Sequence, residues 1–316
     1  MVVALELTAM MPPPWSALRM VHTYALSEAI PPKTGPGDSG LIEQICAIRS
    51  SVMVVRNTRY HVVVDEHLLT NIFRFVPPPR RLIAVIVHRG LMRVRGPKPL
   101  TVRAGQAALL SGVDMSWARF EHASYLDIEG LPTSERVEPT PRMLLAPDLE
   151  RARRLELALD SSEASPAETL AEGSALARSL GVPLPALSAE QFVDPTPLDL
   201  AIAGAMVQQF ALLSTEATAT SLADAVGRSP RQLQRIIQDF NRRYGLNAGN
   251  WRDTRNRWRL QTAVLLLSVP SLSIAEIAAK VGYRSPNALA RAFAKVGFPA
   301  PAELRQELLT PAESVD

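Results

Sequence analysis

Leu222-Ala223-Asp224-Ala225-Val226-Gly227-Arg228-Ser229-Pro230 and Ile277-Ala278-Ala279-Lys280-Val281-Gly282-Tyr283-Arg284-Ser285-Pro286 are two copies of one pattern. Glycine follows glycine at an offset of 55 residues and Ser-Pro follows Ser-Pro at 56, with Leu233 answered by Leu289 and Arg235 by Arg291. Each copy reads as a short apolar helix, a glycine turn and a second helix opened by Ser-Pro. Glycine lets the backbone reverse where a side chain would clash. Serine caps the free amides of the next helix, and proline fits its first position. In the first copy Gln232 lies three residues after Ser229 and completes a capping box. Leu233, Ile236, Ile237 and Phe240 then form a buried stripe at helical spacing. Arg231, Gln232, Gln234, Arg235 and Gln238 are left facing outward, and arginine and glutamine are the side chains that bond bidentately to guanine and adenine edges.

One such hairpin is a weak signal, because many helical pairs share it. Two in tandem predict nucleic-acid binding, and the charge agrees. The chain's net charge is only +3, yet residues 198–309 hold 14 basic and eight acidic residues, and Arg228 to Arg259 includes nine arginines against Asp239 and Asp253. Positive charge gathered in one region is the footprint of a nucleic-acid binder. The competing reading is a plain helical bundle whose Arg/Gln faces are merely solvated.

Working outward, 316 residues suffice for two domains, and 47% hydrophobic content supports real cores. Residues 1–40 are expected to be an irregular lead, with proline clusters at Pro12–Pro14 and Pro31–Pro32 and breakers at Pro36-Gly37. Within a domain bounded at 41–145, residues 51–129 read as β: Val52–Val55, His61–Val64, Ile72–Val76, Leu82–Val87, Leu91–Val94, Leu100–Val102, Ala107–Leu110 and Tyr125–Ile128 are short branched runs separated by turns such as Arg89-Gly90 and Ala104-Gly105. Many short strands at regular spacing predict a sandwich or small barrel. Residues 146–182 read as two helices, broken at Glu163–Pro166 and stopped at Gly181-Val182-Pro183. Proline-rich residues 183–197 read as a linker, and 198–309 as helical. The expected fold class is α+β multidomain.

At this point residues 198–306 resemble the DNA-binding domain of the AraC/XylS family of transcription regulators. The resemblance is carried by Ser221-Leu222-Ala223 through Phe240, Tyr244-Gly245-Leu246, Arg259-Leu260, Ala263, Leu266, Ile274–Ala278, Val281-Gly282-Tyr283, Phe293, Pro301 and Arg305. It implies a seven-helix domain whose two helix-turn-helix units, joined by a central helix over Asn250–Ser268, enter successive major grooves of double-stranded DNA. By position, Arg231, Gln232, Gln234 and Arg235 would read bases from the first unit, and Asn287 and Arg291 from the second, with Ala290 against a thymine methyl. Arg228, Ser229, Arg242, Arg243, Arg284, Ser285 and Lys295 would contact the backbone. Within the central helix, Trp251, Trp258, Ala263, Leu266 and Leu267 read as core, and Arg252, Arg255 and Arg257 as solvated or phosphate-contacting. The sequence departs from the family pattern in a Leu246–Ala263 stretch about three residues long in excess, in Ala248 for proline, and in Gly297-Phe298 for Phe-Gly.

Leu82–Arg95, Val102–Gly105 and Leu109–Gly112 resemble the cupin-like effector domain common in that family. This implies a β-barrel holding a small-molecule effector, followed by helices that dimerise. Arg80, His88, Arg95 and Trp117 are the candidate pocket residues, with Arg119 at the rim. A cupin enzyme needs a His-x-His pair, a glutamate and a later histidine; His88 stands alone and Ser116-Trp117 fall where the later ligand would be, so no metal and no cofactor are expected. Cys46, the single cysteine, offers no disulfide. No nucleophile elbow, Walker loop, dinucleotide fingerprint or carboxylate pair is found. Met1–Met11 carries no basic residue and is not expected to be a secretory signal, and the apolar runs are too short to span a membrane. The expected protein is a cytoplasmic, homodimeric regulator, an activator responding to a small molecule, with RNA polymerase as a further partner and no membrane. The alternatives are an effectorless regulator whose N-terminal domain only dimerises or binds a protein, and a cupin-type enzyme with a regulatory helical tail.

Overall fold

The computed structural model describes residues 14–25, 42–60, 63–67, 82–95, 99–111, 117–130, 140–211, 217–246 and 250–309. Strands β1 (Trp15–Ser16), β2 (Leu18–Ala25), β3 (Ile42–Arg49), β4 (Met53–Tyr60), β5 (Val63–His67), β6 (Leu82–Arg95), β7 (Leu100–Arg103), β8 (Gln106–Ser111), β9 (Trp117–Gly130) and β10 (Arg142–Met143) precede helices α1 (Ala146–Asp160) and α2 (Pro166–Ser179). After the short strand β11 (Phe192–Val193) come α3 (Pro197–Ala211), α4 (Ala219–Ala225), α5 (Pro230–Arg243), α6 (Trp251–Leu267), α7 (Ile274–Lys280), α8 (Pro286–Lys295) and α9 (Pro301–Leu309). The chain is therefore a sheet-rich N-terminal region followed by a helical C-terminal one, an α+β multidomain protein. The expected strand at Ile72–Val76 lies outside the described residues.

The main sheet is antiparallel in the order β10-β8-β6-β9-β4-β3-β2, with β5 added on β9 and β7 on β6. Side chains alternate across it with period two. Leu82, Ala84 and Ile86 join Ala152, Leu155 and Leu159 of α1 and Leu170 and Leu176 of α2. Ile83, Val85 and Val87 point the other way, into a cluster with Phe120 and Tyr125. Leu82–Val87 and Leu91–Val94, expected as two strands about an Arg89-Gly90 turn, are one 14-residue strand with register shifts between Val87 and Leu91. Gly90 does not reverse the chain there. It sits at φ 69° where a Cβ would stand 2.5 Å from the His122 carbonyl oxygen, so its job is to let β6 pass close to β9.

The described part of the supposed irregular lead, residues 14–25, is strand. β2 pairs with β3 from Leu18↔Arg49 to Ala25↔Ile42, and Arg19 of β2 donates to the carbonyls of Ala158, Leu159 and Ala164, closing the C-terminus of α1. Residues 183–197, expected as a spacer, are docked as well. Leu184 and Leu187 are buried in the cluster under α1 and α2, Ser174 Oγ donates to the Pro185 carbonyl at 2.7 Å, and β11 pairs in parallel with β1, Trp15 opposite Phe192. The prolines keep residues 183–187 extended, leaving the chain free to bury the leucines between them, and a single 3-10 turn follows at Ala189–Gln191.

The two regions share a core. On the β2-β3-β4 part of the sheet, Leu18, Met20, Ile45, Ala47 and Val54 belong to one cluster with Ile202 and Met206 of α3, Leu233, Ile237 and Phe240 of α5 and Trp258 of α6. Fully buried Arg49 donates from Nε to the Tyr244 carbonyl at 2.6 Å and from Nη2 to that of Gly245 at 2.9 Å. Leu265 of α6 joins the cluster of Phe120 and Tyr125, and Arg119 of β9 donates to the Leu308 carbonyl of α9.

Candidate nucleic-acid interface

The two helical hairpins are built alike. In α4–α5, Gly227 adopts φ 63°, its N–H reaches the Asp224 carbonyl, and the Arg228 N–H reaches that of Ala223 at 2.9 Å. In α7–α8, Gly282 adopts φ 76°, bonding Ala279, while Tyr283 bonds Ala278 at 2.8 Å. This left-handed glycine motif satisfies the last carbonyls of the first helix and aims the chain into the second. Ser229 and Ser285 then cap α5 and α8, accepting from the amides of Gln232 and Ala288. Gly297-Phe298 closes α8 by the same device, Phe298 N–H bonding the Phe293 carbonyl at 3.1 Å, with the two rings 5.5 Å apart. The reversed residue order thus ends the second unit cleanly.

Leu233, Ile237 and Phe240 are buried along α5, and Leu289 and Phe293 along α8. Opposite them Arg231, Gln234, Arg235 and Gln238 are exposed, as are Asn287 and Arg291, with Ala290 half-buried. Arg228, Arg284 and Lys295 flank the helices, Arg228 and Lys295 at the surface and Arg284 beside the Ser285 cap. Gln232 is also exposed, but its Oε1 accepts from the Ser229 N–H and hydroxyl at 3.0 Å each; its amide NH2 is what remains to offer a base. Arg242 pairs with Asp239 at 3.0 Å at the surface.

Arg243 is held differently. Its Nη1 donates to both carboxylate oxygens of Asp199, at 2.9 and 2.7 Å. Burial would raise the Asp199 carboxyl, but hydrogen bonds from Thr196 and the Arg243 charge outweigh it and hold the group below its usual value. Arg243 therefore ties α5 to α3 before any phosphate is considered. The sequence offered no signal for this pair, which joins residues 44 apart.

The central helix α6 is capped by Asn250 and ends at Ser268, and most of it is buried. Phe210 stacks on Trp258 at 4.7 Å and on Trp251 at 5.5 Å, and Trp258 Nε1 donates to the Phe210 carbonyl, so both tryptophans are core. Arg305 donates to the carbonyls of Val269 and Leu272 just beyond the helix. Ala248, with residues 247–249, lies outside the described residues. Arg252, Arg255 and Arg257 face a cavity of about 540 Å³ whose other wall carries Arg291 and Lys295 of α8.

Arg80 lies outside the described residues. The backbones of Arg95 and Trp117 are register partners on β6 and β9, while His88 is seven residues away along β6. His88 lines a cavity of about 360 Å³ with Arg59, Tyr60, His122, Ser124 and Glu156. Burial lowers the His88 pKa, against the opposing pull of Glu156. His88 Nε2 and Ser124 Oγ are buried there without a hydrogen-bond partner among the described residues. Sequence reading found His88 but not its neighbours, which arrive from β4, β9 and α1. It also missed Arg56 and Asp127, an ion pair of 2.8 Å buried inside the sheet beneath the Tyr125 ring. Among the described residues no group of three His, Cys, Asp or Glu side chains is placed to hold a metal ion, and no helix is long and apolar enough to cross a membrane.

Residues 222–307 match the family model described as a helix-turn-helix domain. No curated protein matches the chain by sequence. Among solved structures, unsaturated-fatty-acid-bound ToxT from Vibrio cholerae is 11% identical over 84% of this chain and 99% of that one, with a TM-score of 0.35. A regulator with an AraC-type DNA-binding domain from Chromobacterium violaceum is 21% identical over 37% of this chain and 96% of its own, at 0.28. The AraC-like transcriptional activator CuxR is 12% identical over 92% and 94%, at 0.26. These are loose superpositions, and the assignment rests on the match over residues 222–307 together with the paired hairpins it spans. Residues 222–307 therefore form a helix-turn-helix domain, built from the two hairpins described above.

Proposed function

We propose that the protein is a sequence-specific activator in which α5 and α8 enter successive major grooves, α5 supplying Arg231, Gln234 and Arg235 and α8 supplying Asn287 and Arg291. The observation that carries this reading is the exposed Arg/Gln face of α5, set by a glycine turn and a serine cap and repeated in outline by α8. Bidentate contacts of such side chains distinguish base pairs, while Arg228, Arg284, Lys295 and the capped helix starts suit phosphate. The test is selection of bound duplexes from a random library: a shared motif about one helical turn or more in length is expected, and unenriched binding would refute it.

The sheet-rich domain, read as a cupin-like barrel, would hold a small-molecule effector. The cavity beside His88 supports that role, since it is close to the lower end of ligand-pocket volumes and contains two buried polar atoms without described partners. Its wall includes Glu156 of α1, whose outer side carries Leu157 at 71% exposure. An apolar side chain so placed suits a homodimer contact between copies of α1. The working unit would then be a cytoplasmic homodimer that recruits RNA polymerase. A second reading, an effectorless regulator, is favoured by the shared core of sheet and first helix-turn-helix unit, which suits a scaffold as well as a sensor. A thermal-shift screen of the whole chain against metabolites, repeated on Ser124→Val, separates them: stabilisation lost in the variant supports the sensor.

A further inference from the structure

The cavity between α6 and α8 gathers more positive charge than the DNA contacts proposed for α8 account for. Arg252, Arg255 and Arg257 form one wall, Arg291 and Lys295 the other, and the single acid on its lining, Asp253, is hydrogen-bonded to Asn250 at the start of α6 and offsets part of the Arg257 charge. Five cations against one carboxylate around about 540 Å³ leave an excess of positive charge that a bound anion would offset. Burial, with the Arg252 charge beside it, holds Arg255 below the usual guanidinium value, and burial does the same to Arg257.

Depth separates this cavity from the outward reading faces. Arg231 and Arg235 stand exposed on α5, as Arg252, Arg291 and Lys295 do at the rim of the cavity. Arg255 and Arg257 are half-buried. Arg255 is anchored through Nη1 to the Ala217 carbonyl at 2.7 Å, and its Nε is buried with no partner among the described residues. The volume falls in the range of small-molecule sites, and the Tyr283 ring and Leu260 give the wall an apolar part. Guanidinium groups bind phosphate by paired, charge-assisted hydrogen bonds.

We propose that the α6/α8 cavity binds a small molecule carrying adjacent phosphate groups, and that its occupancy withdraws Arg291 and Lys295 from DNA. The second clause rests on the proposed reading of DNA by α8; the first does not.

The probe is inorganic pyrophosphate, titrated calorimetrically into the full-length protein without DNA at fixed ionic strength, against sulfate as reference. Pyrophosphate should bind one per chain and more tightly than sulfate. Arg252→Ala combined with Lys295→Ala, both at exposed positions, should weaken it by about tenfold or more. Arg231→Ala with Arg235→Ala, outside the cavity, should change it by less than about twofold. Unchanged melting temperatures establish that both variants fold. In a second arm, pyrophosphate should weaken DNA binding by the native protein and not by the Arg252/Lys295 variant. Pyrophosphate binding no tighter than sulfate, or equal losses in both double variants, would overturn the site. No pyrophosphate binding by the native protein, together with weaker DNA binding by the cavity variant, would assign these cations to the duplex backbone and overturn it too. Pyrophosphate binding without competition would overturn the second clause alone.

Discussion

Arg49, at the end of β3, donates 2.6 Å to the carbonyl of Tyr244, the residue that closes the first recognition helix. A buried cation at a helix C-terminus satisfies carbonyls that lack intrahelical partners and opposes the helix dipole. The sheet therefore holds one end of α5 directly. Arg49→Met keeps much of the volume but removes the donors, leaving two buried carbonyls without them. It should cost about 1.5–3 kcal/mol and turn a single calorimetric unfolding transition into two. A single transition at the native temperature would show that the contact couples nothing.

Asp199 should make stability depend on acid. Its carboxyl is held below the usual value by Thr196 and Arg243, so the contribution is full above the unfolded carboxylate pKa of about 4. It is lost as pH falls through the lower, folded value. Asp199→Asn should lower stability at pH 7 by about 1.5–3 kcal/mol and flatten the fall below about pH 4. Denaturant midpoints from pH 7 downward check both. A variant whose acid limb matches the native one would contradict the assignment.

Glycine substitutions should rank by surroundings. Gly227 has φ 63° and nothing within 4 Å of where a Cβ would stand, so Gly227→Ala meets only backbone strain, about 1–2 kcal/mol. Gly90→Ala meets the same strain and the main chain of β9 besides, and should cost considerably more. Urea midpoints of the two variants give the order, and equal losses would remove the case for close strand packing at Gly90.

The hairpins were legible because everything that makes them is local. The glycine, the Ser-Pro start and the stripe of Leu233, Ile237 and Phe240 fall within about four helical turns. Asn250 and Ser268 likewise bounded α6 in advance. What escaped reading is long-range. Arg49 meets Tyr244 across 195 residues and Arg56 meets Asp127 across 71, and an arginine in a strand looks solvated until its partner is known. β2 was hidden by Arg19 and His22, polar residues whose strand is paired and packed on α3 and β3. Residues 183–197 looked like a spacer because their prolines were weighed above Leu184 and Leu187. His88 was visible as a lone histidine, whereas the cavity around it needs the close approach of β6 to β9 at Gly90 and a helix laid across the sheet.

Base reading by the first unit is the central claim, and its ranking above the second follows from chemistry. Arg231, Gln234, Arg235 and Gln238 offer directed hydrogen bonds along α5, while α8 offers Asn287 and Arg291 among alanines, which sense a thymine methyl but cannot bond bidentately. The decisive measurement is a binding titration of the native protein and Arg235→Ala across every single-base variant of a selected site, at fixed salt. The half-site under α5 should be strongly constrained and that under α8 permissive, and Arg235→Ala should lose about 1–3 kcal/mol at one base pair with specificity relaxed there. Equal weakening by Arg235→Ala on every sequence, or stronger discrimination under α8, would contradict the account.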